Sequence, residues 1–179
     1  MIEVIGAGLA GCEAAYALAK AGAEVALVEM KPKKMTPAHT SAALCELVCS
    51  NSLKSDDVYG NACGLLKEEM RILGSIAMEA AEHSRVPAGG ALAVDREKFS
   101  AYVTQKIRAC KNITVTEREQ TALPASGIIA TGPLTSDALS SAIDEKFGGG
   151  LHFYDASAPI VSADSIDYDK TFTGDRYGR

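Results

Sequence analysis

A chain of 179 residues with 47% hydrophobic and 23% charged side chains has the make-up of a soluble globular domain and the length to bury a sizeable core. Its formal net charge of −5 gives no global pull towards a polyanion, so contact with nucleic acid would have to come from a local basic patch. No run of about eighteen apolar residues and no basic segment leading into a cleavable apolar stretch is present, which argues against a spanning helix or secretory leader and makes the cytoplasm the expected compartment.

The first elements in chain order form a β-α-β unit. Residues 3–5 read as a short apolar strand, and residues 12–21 as a helix with Ala14, Leu18 and Ala21 on one side. Gly22 stops that helix, and residues 24–29 form a second strand that buries Val25, Leu27 and Val28. Residues 31–63 are dense in Lys, Thr, Ser, Asn and Asp, a long loop of the kind that serves function, with residues 42–48 apolar enough to form one or two helical turns. A helix over 64–82, a strand over 91–94 and an amphipathic helix over 96–110 follow, the last carrying Phe99, Val103 and Ile107 on one stripe. Strands are predicted at 113–117 and 127–130, a helix at 136–147 and a further strand at 151–154. The end of the chain shows no closing element.

Five cysteines, Cys12, Cys45, Cys49, Cys63 and Cys110, are an odd number at irregular spacing and make a poor disulfide framework. Cys45, Cys49 and His39 lack the second ligand pair that a structural zinc site needs, so no metal is expected. Cys12 reads as a packing residue. Cys45 lies four positions before Cys49, the spacing of a shared helix face, which would also allow a redox pair.

Gly6-Ala7-Gly8-Leu9-Ala10-Gly11 is a GxGxxG pattern placed directly after a strand and at the opening of a helix. Glu29 ends the second strand 18 residues beyond Gly11, close to the roughly 20 that a dinucleotide fingerprint requires. Gly6 permits the tight turn, Gly8 lets backbone approach a diphosphate, and Gly11 lets helix and strand pack closely. The helix start offers unpaired N–H groups and a positive dipole end. Glu29 would accept hydrogen bonds from ribose hydroxyls and repel a 2′-phosphate, which disfavours NADP at this position. The fingerprint does not separate FAD from NAD. The apolar strand ending in Ala130-Thr131-Gly132 resembles the second signature of FAD enzymes of the glutathione-reductase type, and so favours FAD.

Further stretches carry a more specific likeness. They include Glu29-Met30-Lys31-Pro32, Thr36-Pro37-Ala38-His39, residues 46–53 with Cys49-Ser50-Asn51-Ser52, residues 64–71, residues 86–96, residues 129–136 and residues 153–156. Together with the glycine turn they resemble the folate-dependent, FAD-containing tRNA (uracil-5-)-methyltransferases along nearly the whole chain. The resemblance implies an α/β, Rossmann-like FAD-binding domain of the glutathione-reductase type, incomplete at its C-terminus. Residues 1–179 would be its N-terminal part, without the inserted second domain and the closing segment. It also implies formation of 5-methyluridine in the T-loop of tRNA, with methylenetetrahydrofolate as carbon donor, FAD as redox cofactor and NAD(P)H as reductant. The cofactor-binding set would be Gly6, Ala7, Gly8, Leu9, Ala10, Gly11, Glu29, Met30, Lys31, Thr131 and Gly132. The implied partners are tRNA and folate, with neither membrane nor metal. Lys31 stands where Arg is usual and lacks its bidentate fork; Cys45 stands where a small residue such as Ala is usual, and Asp175 where Ser is commoner.

Uracil C5 is a weak nucleophile, so its methylation generally begins with a thiolate adding to C6, and the transferred methylene must then be reduced. By resemblance Cys49 is a catalytic thiol, and a second one falls outside this chain. Its loop is polar, with Lys54 nearby to favour a thiolate. The Gly89-Gly90 turn allows close approach of a backbone to a ligand. Asp95 and Arg96 either line the site or, for Asp95, cap the following helix. His39 reads either as an acid-base group or as an ordinary loop histidine. The same chemistry on ribosomal RNA, or a truncated FAD-binding fragment without activity, are the alternatives. The related protein that installs aminomethyl groups on wobble uridine lacks the Cys-Ser-Asn-Ser run.

Overall fold

The computed structural model describes residues 1–148 and 162–172. The expected strand over 151–154 lies outside the described residues. Strand β1 (Ile2–Ile5), helix α1 (Leu9–Lys20) and strand β2 (Val25–Glu29) form the predicted opening unit. With β6 (Ile113–Glu117) and β7 (Gly127–Ile129) the strands make a parallel sheet of order β6-β2-β1-β7. All five residues of β2 are buried, as expected of a central parallel strand covered on both faces. One face packs on α1, α3 (Ile76–His83) and α4 (Arg96–Ala109), where Cys12, Ala15, Val4, Leu27, Phe99, Val103 and Ile107 close the main core. The opposite face carries Ile5 and Val28 against Leu139 of α5 (Asp137–Phe147). The parallel strands therefore end together at one edge, beside the opening of α1, where ligands of open α/β sheets sit.

Two expectations need correction. The helix predicted over 64–82 is two helices, α2 (Ala62–Ile72) and α3. Gly74 takes a positive φ of 72° after α2, and Ser75 starts α3 by accepting the Met78 amide at 3.1 Å. Glu13 of α1 fixes the corner by accepting from the Ser75 hydroxyl at 3.1 Å. The Gly-Ser pair is a stop followed by a cap, which outweighs the continuous apolar period. Residues 42–48 are ordered but not helical. The Leu44 amide donates to Thr104 Oγ1 at 2.9 Å and the Cys45 amide to the Ala7 carbonyl at 2.7 Å. These tertiary bonds replace the i−4 ladder, and Leu44, Cys45 and Leu47 bury as a plug between α4 and the glycine turn.

A second sheet was not predicted. Strand β3 (Ser52–Ser55) pairs antiparallel with β5 (Ala91–Val94), which also pairs with β4 (Arg85–Val86). Its register shifts between Ser52 and Ser55, and Lys54 has a φ of 68°. A polar Ser-Leu-Lys-Ser segment gives no strand period. It extends because its backbone finds β5, a pairing that no local propensity announces.

Candidate functional site

The turn from β1 into α1 separates the three glycines by what each one meets. Gly6 has a φ of 95°, and a Cβ there would stand 2.7 Å from the Ala130 carbonyl oxygen at the end of β7. A Cβ on Gly11 would stand 1.8 Å from the Gly6 carbonyl oxygen. Packing of the protein itself therefore demands both. Gly8 differs: its φ of −77° suits any residue, and a Cβ would meet nothing within 4 Å among the described residues. No contact among the described residues requires glycine at 8, and its backbone lies at the N-cap of α1, which no described side chain caps.

Glu29 is 8% exposed and bridges this turn. Its Oε2 accepts the Ala7 amide at 2.8 Å and its Oε1 the Lys31 amide at 3.0 Å. Each oxygen keeps a lone pair for a further donor. A cavity of about 310 Å³ opens here, lined by residues 5–10, 28–30 and 130–136 among others. The expected residues Gly6, Ala7, Gly8, Leu9, Ala10, Glu29, Met30, Thr131 and Gly132 thus share one cavity, and Gly11 lies behind it as packing. Residues 118–120, Glu46 and Val48 also line it and were missed, and His39, read as either an acid-base group or a loop histidine, lines it too. Residues 118–120 leave the end of β6 at the ligand edge of the sheet, a placement that strand order would have revealed.

Lys31, expected among the cofactor-binding residues, does not line the cavity. Its side chain is 3% exposed, and the ammonium donates to the Ala43 carbonyl at 2.8 Å and to Glu46 Oε2 at 3.1 Å. It clasps the loop that follows β2. Burial pushes the Glu46 carboxyl up, but hydrogen bonds from the Thr40 amide and the Lys31 ammonium outweigh that and hold it below the usual 4.5. A depressed carboxyl contributes stability fully above its unfolded value and loses it as pH falls through the folded value. Glu46→Ala leaves the Lys31 charge buried with one carbonyl, so a loss of about 3–5 kcal/mol is expected in urea unfolding at pH 7. Glu46→Gln should remove the acid-limb contribution, and an unchanged pH profile below pH 5 would contradict the clasp.

Cys49 is exposed and follows Val48, a cavity residue. Its carbonyl accepts Arg96 Nη2 at 3.4 Å. Two residues on, Asn51 is clamped to β5: Val94 donates its amide to the Asn51 carbonyl at 2.9 Å, and Asn51 Nδ2 donates to the Val94 carbonyl at 3.1 Å. The second sheet is therefore the platform of the Cys49 loop. The Cys45–Cys49 pairing on a shared helix face is overturned, because that segment is not helical and Cys45 is buried. Cys45 adjoins Cys12 instead, and that contact, with burial, pushes the Cys12 thiol up. Asp95 caps α4 by accepting the Glu97 and Lys98 amides, both at 3.1 Å. Gly89 borders a separate shallow cavity beside β4 and β5. Among the described residues no three His, Cys, Asp or Glu side chains stand together as a metal set, and no helix is long and apolar enough to cross a membrane.

The family model of glucose-inhibited division protein A matches residues 1–179. The chain belongs to this family. Among curated members it is 58% identical over 180 residues to "Methylenetetrahydrofolate--tRNA-(uracil-5-)-methyltransferase TrmFO" of Pelobacter propionicus, covering 99% of this chain and 39% of that protein. The proteins of the same name from Geobacter sulfurreducens and Lactobacillus helveticus are 56% and 57% identical, covering 99% of this chain and 41% and 44% of those proteins. The chain thus spans about two fifths of the length of these relatives. Aquifex aeolicus GidA, in its form II crystal, superposes with a TM-score of 0.55 at 19% identity, covering 70% of this chain and 20% of that one, a likeness of fold. The family match and this fold agree with the Rossmann-type class read from the glycine turn.

Proposed function

We propose that this chain forms the FAD-binding portion of a methylenetetrahydrofolate- and FAD-dependent tRNA (uracil-5-)-methyltransferase, which makes 5-methyluridine with NAD(P)H as reductant in the cytoplasm. The reading rests on one observation: glycine at position 8 answers no packing need among the described residues, yet lies at the start of α1 as part of the Glu29 cavity's lining. A diphosphate seated on those amides meets no Cβ, and ribose hydroxyls can donate to the lone pairs that Glu29 retains. Thr131 and Gly132 would border the same ligand. Bound FAD would supply the reducing chemistry that turns a transferred methylene into a methyl group. The names of the curated relatives favour tRNA as substrate and folate as donor, and Cys49 is the catalytic thiol that this part of the chain would contribute.

Flavin titration tests the reading. The purified chain should bind FAD saturably and quench its fluorescence. Glu29→Ala should weaken FAD by roughly 1.5–3 kcal/mol for each charge-assisted hydrogen bond lost, or about 10- to 100-fold. Glu29→Gln, which keeps an acceptor oxygen, should fall between. Equal affinity in wild type and Glu29→Ala would remove the ribose role, and no uptake by the folded wild type would remove the FAD reading.

A further inference from the structure

His39 is a cavity residue that the dinucleotide fingerprint does not use. Two contacts with one residue fix it: the His39 amide donates to the Thr36 carbonyl at 3.1 Å, and Thr36 Oγ1 lies 2.7 Å from Nδ1. The Thr36-Pro37-Ala38-His39 segment is thus a closed turn that presents an imidazole at the same cavity as the glycine turn. Charged neighbours surround it without capturing it. The Lys31 ammonium is engaged by Ala43 and Glu46, Glu46 Oε1 accepts from the Thr40 amide and hydroxyl, and Glu29 accepts the Ala7 and Lys31 amides. Burial first, and then the nearby Lys31 charge, push the imidazole below its ordinary value, so it is neutral at pH 7. With the Thr36 hydroxyl donating to Nδ1, one of the two tautomers this contact allows, the neutral ring carries its proton on Nε2 and has one N–H donor to offer.

We propose that His39, oriented by Thr36, is a ligand-binding residue that donates its Nε2 proton to the diphosphate of the bound dinucleotide. This rests on the FAD reading and adds to it a side-chain donor at the cavity that the glycine turn also lines. Three things converge on it: the shared cavity, the Nδ1 held against Thr36, and, among the described residues, acidic neighbours that are already engaged elsewhere.

The test is competitive titration of the full chain at pH 7.5 with FAD as reporter and ADP or adenosine as competitors. His39→Ala should weaken FAD and ADP about tenfold, the scale of one hydrogen bond to a charged group, and leave adenosine within about twofold. Thr36→Val should give part of that loss and Thr36→Ser should restore it. In nitrogen-15 NMR of the wild type, ADP should shift the His39 Nε2 resonance, a readout independent of any folding defect in the variants. Unchanged ADP affinity in His39→Ala, equal losses for ADP and adenosine, or an Nε2 resonance that ADP does not move would each overturn the assignment. Wild-type protein that binds FAD while His39→Ala binds it equally well sinks this inference only. Wild-type protein that binds none sinks both.

Discussion

Cys49→Ala is expected to abolish methyl transfer in a polypeptide of the relatives' length that carries this sequence, while flavin stays bound. The structure separates the two effects. The Cys49 thiol belongs to an exposed loop, and three features that hold the loop use backbone or other side chains: the Asn51–Val94 clamp, the Arg96 contact to the Cys49 carbonyl, and the β3–β5 pairing. The Glu29 cavity is lined by the glycine turn, Glu29 and residues 130–136 among others, and Cys49 is not among the residues that line it. Removing a nucleophile from such a place removes chemistry and leaves binding. Transfer of label from methylenetetrahydrofolate to undermodified tRNA, measured beside flavin absorbance of the same sample, checks both halves. Retained turnover would exclude Cys49 from the mechanism, and loss of flavin would show that the loop is structural.

The parts of the fold that were legible are those whose signal is local. The β-α-β opening was readable because strand, glycine turn, helix and acidic residue succeed one another within about thirty residues, each constrained by its neighbours. The second sheet was not, because β3 is polar and extends only against β5, some forty residues away. Residues 42–48 misled for the same reason: their apolar content does anchor them, but their amides bond to Thr104 and Ala7, partners that a linear reading cannot bring near. In the site, the motif named the glycines and Glu29 and was silent on His39, Glu46 and residues 118–120, which reach the cavity through the chain's return over the sheet edge. Lys31 shows the converse: next to a motif residue in sequence, it is held away from the cavity by Glu46.

Gly11→Ala and Gly8→Ala should behave as opposites although both change one backbone hydrogen at the opening of α1 into a methyl group. At position 11 the new carbon would stand 1.8 Å from the Gly6 carbonyl oxygen and 2.9 Å from its carbon, both backbone atoms that no rotamer change can move. Relief requires α1 to withdraw from β1, which pulls Cys12 and Ala15 out of the main core. Overpacking against backbone at the hub of the fold is expected to cost about 4 kcal/mol or more, visible as a lower urea midpoint with ligand absent. At position 8 the backbone is already in an ordinary region and the space is open, so the urea midpoint should stay within about 0.5 kcal/mol of wild type. The methyl group would instead stand where a diphosphate must approach the α1 amides, and FAD affinity should fall at least about tenfold. Comparable stability losses in the two variants would mean that Gly8 serves the fold, and the argument that its bare backbone awaits a ligand would lose its footing.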